Sequence, residues 1–203
     1  MIDKRSLRIV AAAAVVAAAL AFLVKGSLKE PAVVRPFLKE ALMGPPLKAA
    51  PDLPKLVELR GGGTRDLGKP PGDRLLVVHF WATWCAPCVE EFPGVVAFWK
   101  EFKSNPNVEL LTVSVDDGWP AVEGWLKKSG AAGIPVALDP KRLTAKAFGT
   151  EKFPETYVIT ADGIVLERYE GAIDWNSPGF RQQIADFAAV ASKPQKIPKA
   201  PKG

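Results

Sequence analysis

Cysteine occurs twice and histidine once in 203 residues. Two cysteines cannot build a disulfide framework, and with a single histidine they cannot close a four-ligand zinc site. Long apolar runs are equally scarce. One alone stands out, at residues 9–24, which excludes a multi-span membrane protein. Basic charge is scarce where a fold can form. Of the net +5, residues 1–24 hold +2 and the last eleven residues +4, which leaves −1 for residues 25–192. A near-neutral body with basic ends presents no basic groove, so no nucleic-acid partner is expected. No internal repeat is present. With 48% hydrophobic and 24% charged residues the chain is not disordered as a whole, and its length suits one domain plus appendages.

The appendages carry much of the proline. Residues 9–24, IVAAAAVVAAALAFLV, are sixteen apolar residues between Arg8 and Lys25. As a helix they would reach about 24 Å, short of the roughly 30 Å hydrocarbon core, a deficit that Arg8 and Lys25 could cover by snorkelling. Residues 1–25 read as a membrane anchor or, alternatively, as a cleaved secretory signal with small-residue sites at Ala17-x-Ala19 and Ala19-x-Ala21. A buried soluble helix is the third reading. Stopping at a lysine after Val24 favours the anchor. Both main readings place the domain outside the cytoplasm. Residues 26–51 read as a proline-rich tether, and 193–203, KPQKIPKAPKG, as a basic, solvated tail. The folded unit is expected over 52–192.

Within it, LVEL (56–59), RLLVVHFW (74–81), VELLTVSV (108–115), IPVAL (134–138), ETYVIT (155–160) and IVLERYEG (164–171) read as strands, the last two as a hairpin. Helical spacing runs from Cys88 to Ser104, with Pro93 expected to kink it. Further helices are expected over 121–130, 142–149 and 178–192. Strands alternating with helices, then a hairpin, indicate an α/β class with a mixed sheet. Gly63-TRDL-Gly68-Lys69 matches a phosphate-loop spacing, but Pro70-Pro71-Gly72 cannot begin the helix such a loop requires. A glycine-rich hairpin turn is the expectation there.

Chemistry concentrates in FWATWCAPC (80–88). A strand ends near Trp81, and Cys85-x-x-Cys88 stands where a helix opens. At that position the first thiol faces free N–H groups and the positive end of the helix dipole, which stabilise a thiolate. Cys88 lies three residues on, within reach to close or resolve a disulfide. Pro87 loses no needed N–H in a first turn. Two inert core cysteines, or half of a zinc site, are the competing readings. Haem attachment needs a histidine after Cys88, and Val89 is there.

The stretch FWATWCAPC with Glu91-Phe92-Pro93 after it, VSVDD (113–117), VALDP (136–140) and FGTEKFPETYVITADGIV (148–165) resembles the thioredoxin superfamily. Within it the likeness is to the TlpA/ResA-like and DsbE/CcmG-like membrane-tethered thiol–disulfide oxidoreductases. The resemblance implies a thioredoxin-like fold with a four- or five-stranded central mixed sheet flanked by helices, and an insertion over 119–149. It implies that Cys85 attacks, that Cys88 resolves, and that Pro154 is a cis-proline facing the dithiol. Trp84, Ala86, Pro87 and Phe153 would then touch substrate. No cofactor is expected beyond the Cys85–Cys88 pair, and no metal.

Two residues concern protons. Glu91 follows Cys88 by three residues, and in this branch a glutamate at that spacing is linked to proton handling; an exposed helix glutamate, as Glu90 is expected to be, is the alternative. His79 stands six residues before Cys85, where many thioredoxins carry a buried acid and this branch often an asparagine. It reads as a core histidine or as a group that tunes Cys88. Phe80, Trp81 and Trp84 could form an apolar apron or part of the core, with Trp84 favoured for the surface. Asp116 and Asp117 read as a strand-end cap and turn.

The resemblance implies disulfide reduction on client proteins of the cytochrome c maturation or copper-site type, with electrons from a membrane thiol donor and the chain acting as a monomer. Dithiol oxidation is the alternative within enzymes, and a copper-binding module the alternative outside them. No Pro-x-x-x-Thr-x-x-Cys surrounds either cysteine, which disfavours a peroxidase.

Overall fold

A computed structural model of the chain describes residues 56–68, 74–161 and 163–191. The expected anchor at 1–25, tether at 26–51 and tail at 193–203 lie outside the described residues. Among the described residues no helix is long and apolar enough to cross a membrane.

One mixed sheet organises the fold. Its strands are β1 (Leu56–Leu59), β2 (Thr64–Asp66), β3 (Leu75–Trp81), β4 (Val108–Ser114), β5 (Val136–Leu138), β6 (Glu155–Ile159) and β7 (Val165–Glu170), in the order β2-β1-β5-β4-β3-β6-β7. Strands β3, β4 and β5 run parallel, each joined to the next by a helix that gives the chain the length to cross over, whereas β6 runs antiparallel to β3. The helices are α1 (Ala86–Phe102), α2 (Trp119–Ser129), α3 (Leu143–Ala147) and α4 (Pro178–Ala191). Six of the seven strands are those read from the sequence, and β2 is the addition. The central four or five that the resemblance implies are extended at the edges, where the β1–β2 hairpin joins through β1 to β5 and β7 closes the other side on β6. Strand β2 is three polar residues, TRD, inside the phosphate-loop look-alike, and has no apolar alternation to announce it. The glycine-rich turn lies just before it, where Gly61, Gly62 and Gly63 all take positive φ.

All seven residues of β3 are buried, so both sheet faces are covered along this central strand. Aromatic rings do much of the covering. Trp81 meets Phe92 of α1 and Trp125 of α2, with centroids 4.4 and 5.0 Å apart, while Phe80 meets Phe148 and Tyr157 from the opposite face. Phe80 and Trp81 are therefore core, not apron. Helix α4 packs through Phe180 against Phe98 of α1 and Tyr169 of β7. Helix α1 begins two residues before the expected run and continues through Pro93, which has no N–H to return to the carbonyl of Val89. Helix α2 also begins two residues early, because Pro120 suits a first turn.

Candidate functional site

The parallel register of β3 and β4 brings their exits together, with Trp81 opposite Ser114. Two residues past that point Asp116, almost fully buried, grips the turn leading into α1. One carboxylate oxygen accepts from the Thr83 hydroxyl at 2.6 Å; the other accepts from the Thr83 N–H at 3.0 Å and the Ser114 hydroxyl at 2.7 Å. The expected strand-end cap is thus also a clamp on the loop that carries the cysteines.

Cys85 is the N-cap of α1, with extended backbone (φ −90°, ψ 103°), and its sulfur accepts from the Cys88 N–H at 3.3 Å. The two cysteines form a disulfide, with Cα atoms 5.3 Å apart. Their exposure differs: Cys85 is 7% accessible and Cys88 not at all. Trp84, Ala86 and Pro87 are exposed around Cys85. The free N–H groups of the first turn favour negative charge at the Cys85 sulfur.

Strand β6 runs antiparallel to β3, with Glu155 opposite Phe80, so the segment before β6 emerges at the same end of the sheet as the cysteine loop. The Phe153–Pro154 bond in that segment is cis. The Trp84 ring meets Phe153 edge-on at 6.2 Å, joining the two loops, and the Arg142 guanidinium lies 5.3 Å over the same indole. A cleft of 510 Å³ opens beside Phe153 and Pro154, lined in addition by Glu155 and by Arg168, which pairs with it.

Beneath the dithiol side lies a second constellation. The Glu91 side chain is 6% exposed, and Oε2 accepts from the Ile173 N–H at 2.8 Å and the Trp175 indole N–H at 3.2 Å. Burial outweighs these two bonds and pushes the carboxyl up to about 7. Oε1 lies 3.5 Å from Nε2 of His79, which is fully buried. Burial pushes this imidazole down to about 3, so near neutral pH an uncharged ring faces the carboxyl group and the contact is not an ion pair. The other ring nitrogen, Nδ1, shares a hydrogen bond with the Thr156 hydroxyl at 3.0 Å. The two proton candidates thus meet in one place. Glu90, the neighbour of Glu91, is exposed. Among the described residues no group of three or more His, Cys, Asp or Glu is arranged to hold a metal ion.

A model of the AhpC/TSA family matches residues 48–168, more than half of the chain. The chain belongs to the AhpC/TSA family. Among curated relatives of this AhpC/TSA member, it is 35% identical to the thiol-disulfide oxidoreductase ResA of Bacillus subtilis over 96 residues, covering 47% of this chain and 52% of that one. It is 31% identical to the thiol:disulfide interchange protein DsbE homolog of Paracoccus denitrificans over 121 residues, covering 60% and 61%. The match thus spans little more than half the length of these relatives. A solved thiol:disulfide interchange protein of the thioredoxin family from Chlorobium tepidum superposes with TM-score 0.52 at 23% identity, covering 67% of this chain and 96% of that one, a likeness of fold. The AhpC/TSA domain here is thioredoxin-like: an α/β fold with a central mixed sheet and helices.

Several site residues carried no signal in the sequence. Trp175 stands 84 positions from Glu91, in a segment without periodicity, and nothing local marks it as a partner. Thr156 reads as an ordinary strand threonine, and Arg142 as the start of a short helix. Each is defined by what lies across the sheet or the loop.

Proposed function

We propose that this AhpC/TSA-family chain is an extracytoplasmic thiol–disulfide oxidoreductase that reduces disulfides of client proteins through Cys85 and Cys88. The single observation that carries the reading is the Cys85–Cys88 disulfide at the N-terminus of α1, in which Cys85 keeps a small accessible surface and Cys88 none. The relatives bearing oxidoreductase and interchange names support it. The absence of Pro-x-x-x-Thr-x-x-Cys around either cysteine favours disulfide exchange over peroxide chemistry. Residues 9–24 support an extracytoplasmic location, held at the membrane by an anchor or released once a signal is removed on export.

In the reduced state the Cys85 thiolate attacks one sulfur of a client disulfide. The client S–S bond breaks, its other sulfur leaves as a thiolate and takes a proton, and a Cys85–client mixed disulfide forms. Cys88 then loses its proton and attacks the Cys85 sulfur. The second client thiolate departs, and the protein is left as the Cys85–Cys88 disulfide. Two electrons have passed from the dithiol to the client, and a donor dithiol at the membrane restores them. Glu91, one helical turn beyond Cys88, accepts the resolving proton, because a carboxyl group with a midpoint near neutrality suits both taking and releasing it. Trp84, Ala86 and Pro87 on one side and Phe153 and Pro154 on the other frame the client segment, with Pro154 presenting the neighbouring backbone to it.

The test is covalent capture. Cys88→Ser should accumulate mixed disulfides on Cys85 that Cys85→Ser does not form, and the captured partners name the client. A wild-type protein that exchanges no disulfide with dithiols or client peptides would overturn the reading.

A further inference from the structure

Glu91 and His79 each carry one buried polar atom that hydrogen-bonds to nothing else in the described structure: Oε1 of the carboxyl group and Nε2 of the ring. The two atoms face each other at 3.5 Å. Leaving both unsatisfied in an apolar interior is costly, and one proton between them removes the cost. Which atom carries that proton follows from the rest of the network. Oε2 accepts from two N–H donors, so a proton taken up by Glu91 belongs on Oε1, toward His79. At the far side of the ring, the Thr156 hydroxyl can donate to Nδ1 or accept from it. Two complete arrangements therefore exist. With Glu91 neutral, its O–H donates to Nε2 while Nδ1–H donates to Thr156. With Glu91 ionised, Nε2–H donates to the carboxylate while Thr156 donates to Nδ1.

We propose that His79 is the positioning residue for Glu91: its ring changes tautomer as Glu91 gains or loses a proton, so the buried carboxyl group stays hydrogen-bonded in both states. The role of that proton in resolving the Cys88 step rests on the function proposed above; the tautomer change does not. The groups facing the pair are Phe92 of α1; Thr156 from β6; Thr112 beside His79 on β4; and Ile173 and Trp175 from the segment before α4, and Cys88 lies one turn before Phe92 on α1. Of these only Cys88, when reduced, carries an ionisable side chain. The low midpoint of His79 keeps its ring uncharged while Glu91 titrates.

Because the chain holds one histidine, selective ¹⁵N labelling of histidine gives a single imidazole spectrum from the oxidised protein. We expect the Nδ1–H tautomer at pH 5, the Nε2–H tautomer at pH 9, and a midpoint near 7. In Glu91→Gln the amide N–H donates to Nε2 permanently, so the Nδ1–H tautomer should persist at every pH. One tautomer across the whole range in the wild type, or a charged imidazole forming within it, would overturn the proposal. In exchange assays His79→Leu removes the donor to ionised Glu91, and the midpoint of the rate–pH profile should rise by about one unit, a tenfold change in proton affinity. A lower stability with an unmoved midpoint makes His79 merely structural and overturns the proposal. Wild-type protein that shows the tautomer change but exchanges no disulfide sinks the function proposed for the dithiol and leaves this inference standing.

Discussion

At the scale of single residues, the two cysteines differ by burial and by helix position, and both differences point the same way. Cys85, in the N-cap position, keeps a small accessible surface, and Cys88 is sealed. In the reduced protein at neutral pH Cys85 should alkylate with iodoacetamide faster than Cys88. Equal rates, or a faster Cys88, would reverse the roles. Glu91 and His79 make a second prediction, about stability. The folded protein holds the Glu91 proton up to about pH 7, whereas an unfolded glutamate releases it near 4.5, so stability falls as pH rises between those values. His79 works in the other direction. Unfolded, it takes a proton below 6.5; folded, only near 3, so stability rises with pH across that window. Between pH 4.5 and 6.5 the two slopes oppose each other and the wild type should be nearly flat. Urea unfolding should show stability rising with pH over 3–6.5 in Glu91→Gln, and falling over 4.5–7 in His79→Asn. Unchanged slopes in both variants would show that neither group titrates as its burial requires.

At the scale of elements, two helix glycines separate propensity from packing. Gly124 in α2 has no atom within 4 Å of where a Cβ would stand, so Gly124→Ala should stabilise by about 0.5–1 kcal/mol through helix propensity alone. Gly94 in α1 is different. A Cβ there meets the Trp175 Cβ at 3.0 Å and the Asn176 amide at 3.4 Å, and the Trp175 ring is packed among His79, Phe98 and Phe180. Gly94→Ala should therefore lower the thermal midpoint despite the propensity gain, and should also disturb the indole N–H held by Glu91. A midpoint raised by both substitutions would show that the Trp175 segment yields. The same contrast explains what was legible in the sequence. Cys85 caps the helix that carries Cys88 and Glu91, so their spacing alone aligned them. The apolar runs of β3 and β4 announced themselves, and the hairpin of β6 and β7 was marked by its turn. His79 and Glu91 were visible one at a time, but their meeting depends on how α1 lies on β3. Strand β2, with three polar residues, and the clamp from Asp116 to Thr83 arise only when distant segments pair. Local spacing could not show them.

For the whole molecule, the buried core runs from Val57 to Ala188. The family match begins at residue 48. A chain beginning at residue 50 should thus unfold in one cooperative transition, with the midpoint of the full-length protein and undiminished disulfide exchange. A broadened transition or lost exchange would make the preceding segment structural.

The sheet's two borders carry a further consequence, for behaviour in crowded solution. One border is β2, three residues long and polar; the other is β7, which sets Glu167, Arg168 and Glu170 along its length and is offset from β6 by an irregularity at Val158–Ile159. Short, charged and uneven borders give a neighbouring chain no continuous ladder to extend. The chain from residue 50 should accordingly sediment as one monomeric species as its concentration is raised a hundredfold. A concentration-dependent dimer would mean that a border, or the rim around Trp84, recruits a second copy. Without one, self-association does not compete with clients for access to the cysteines.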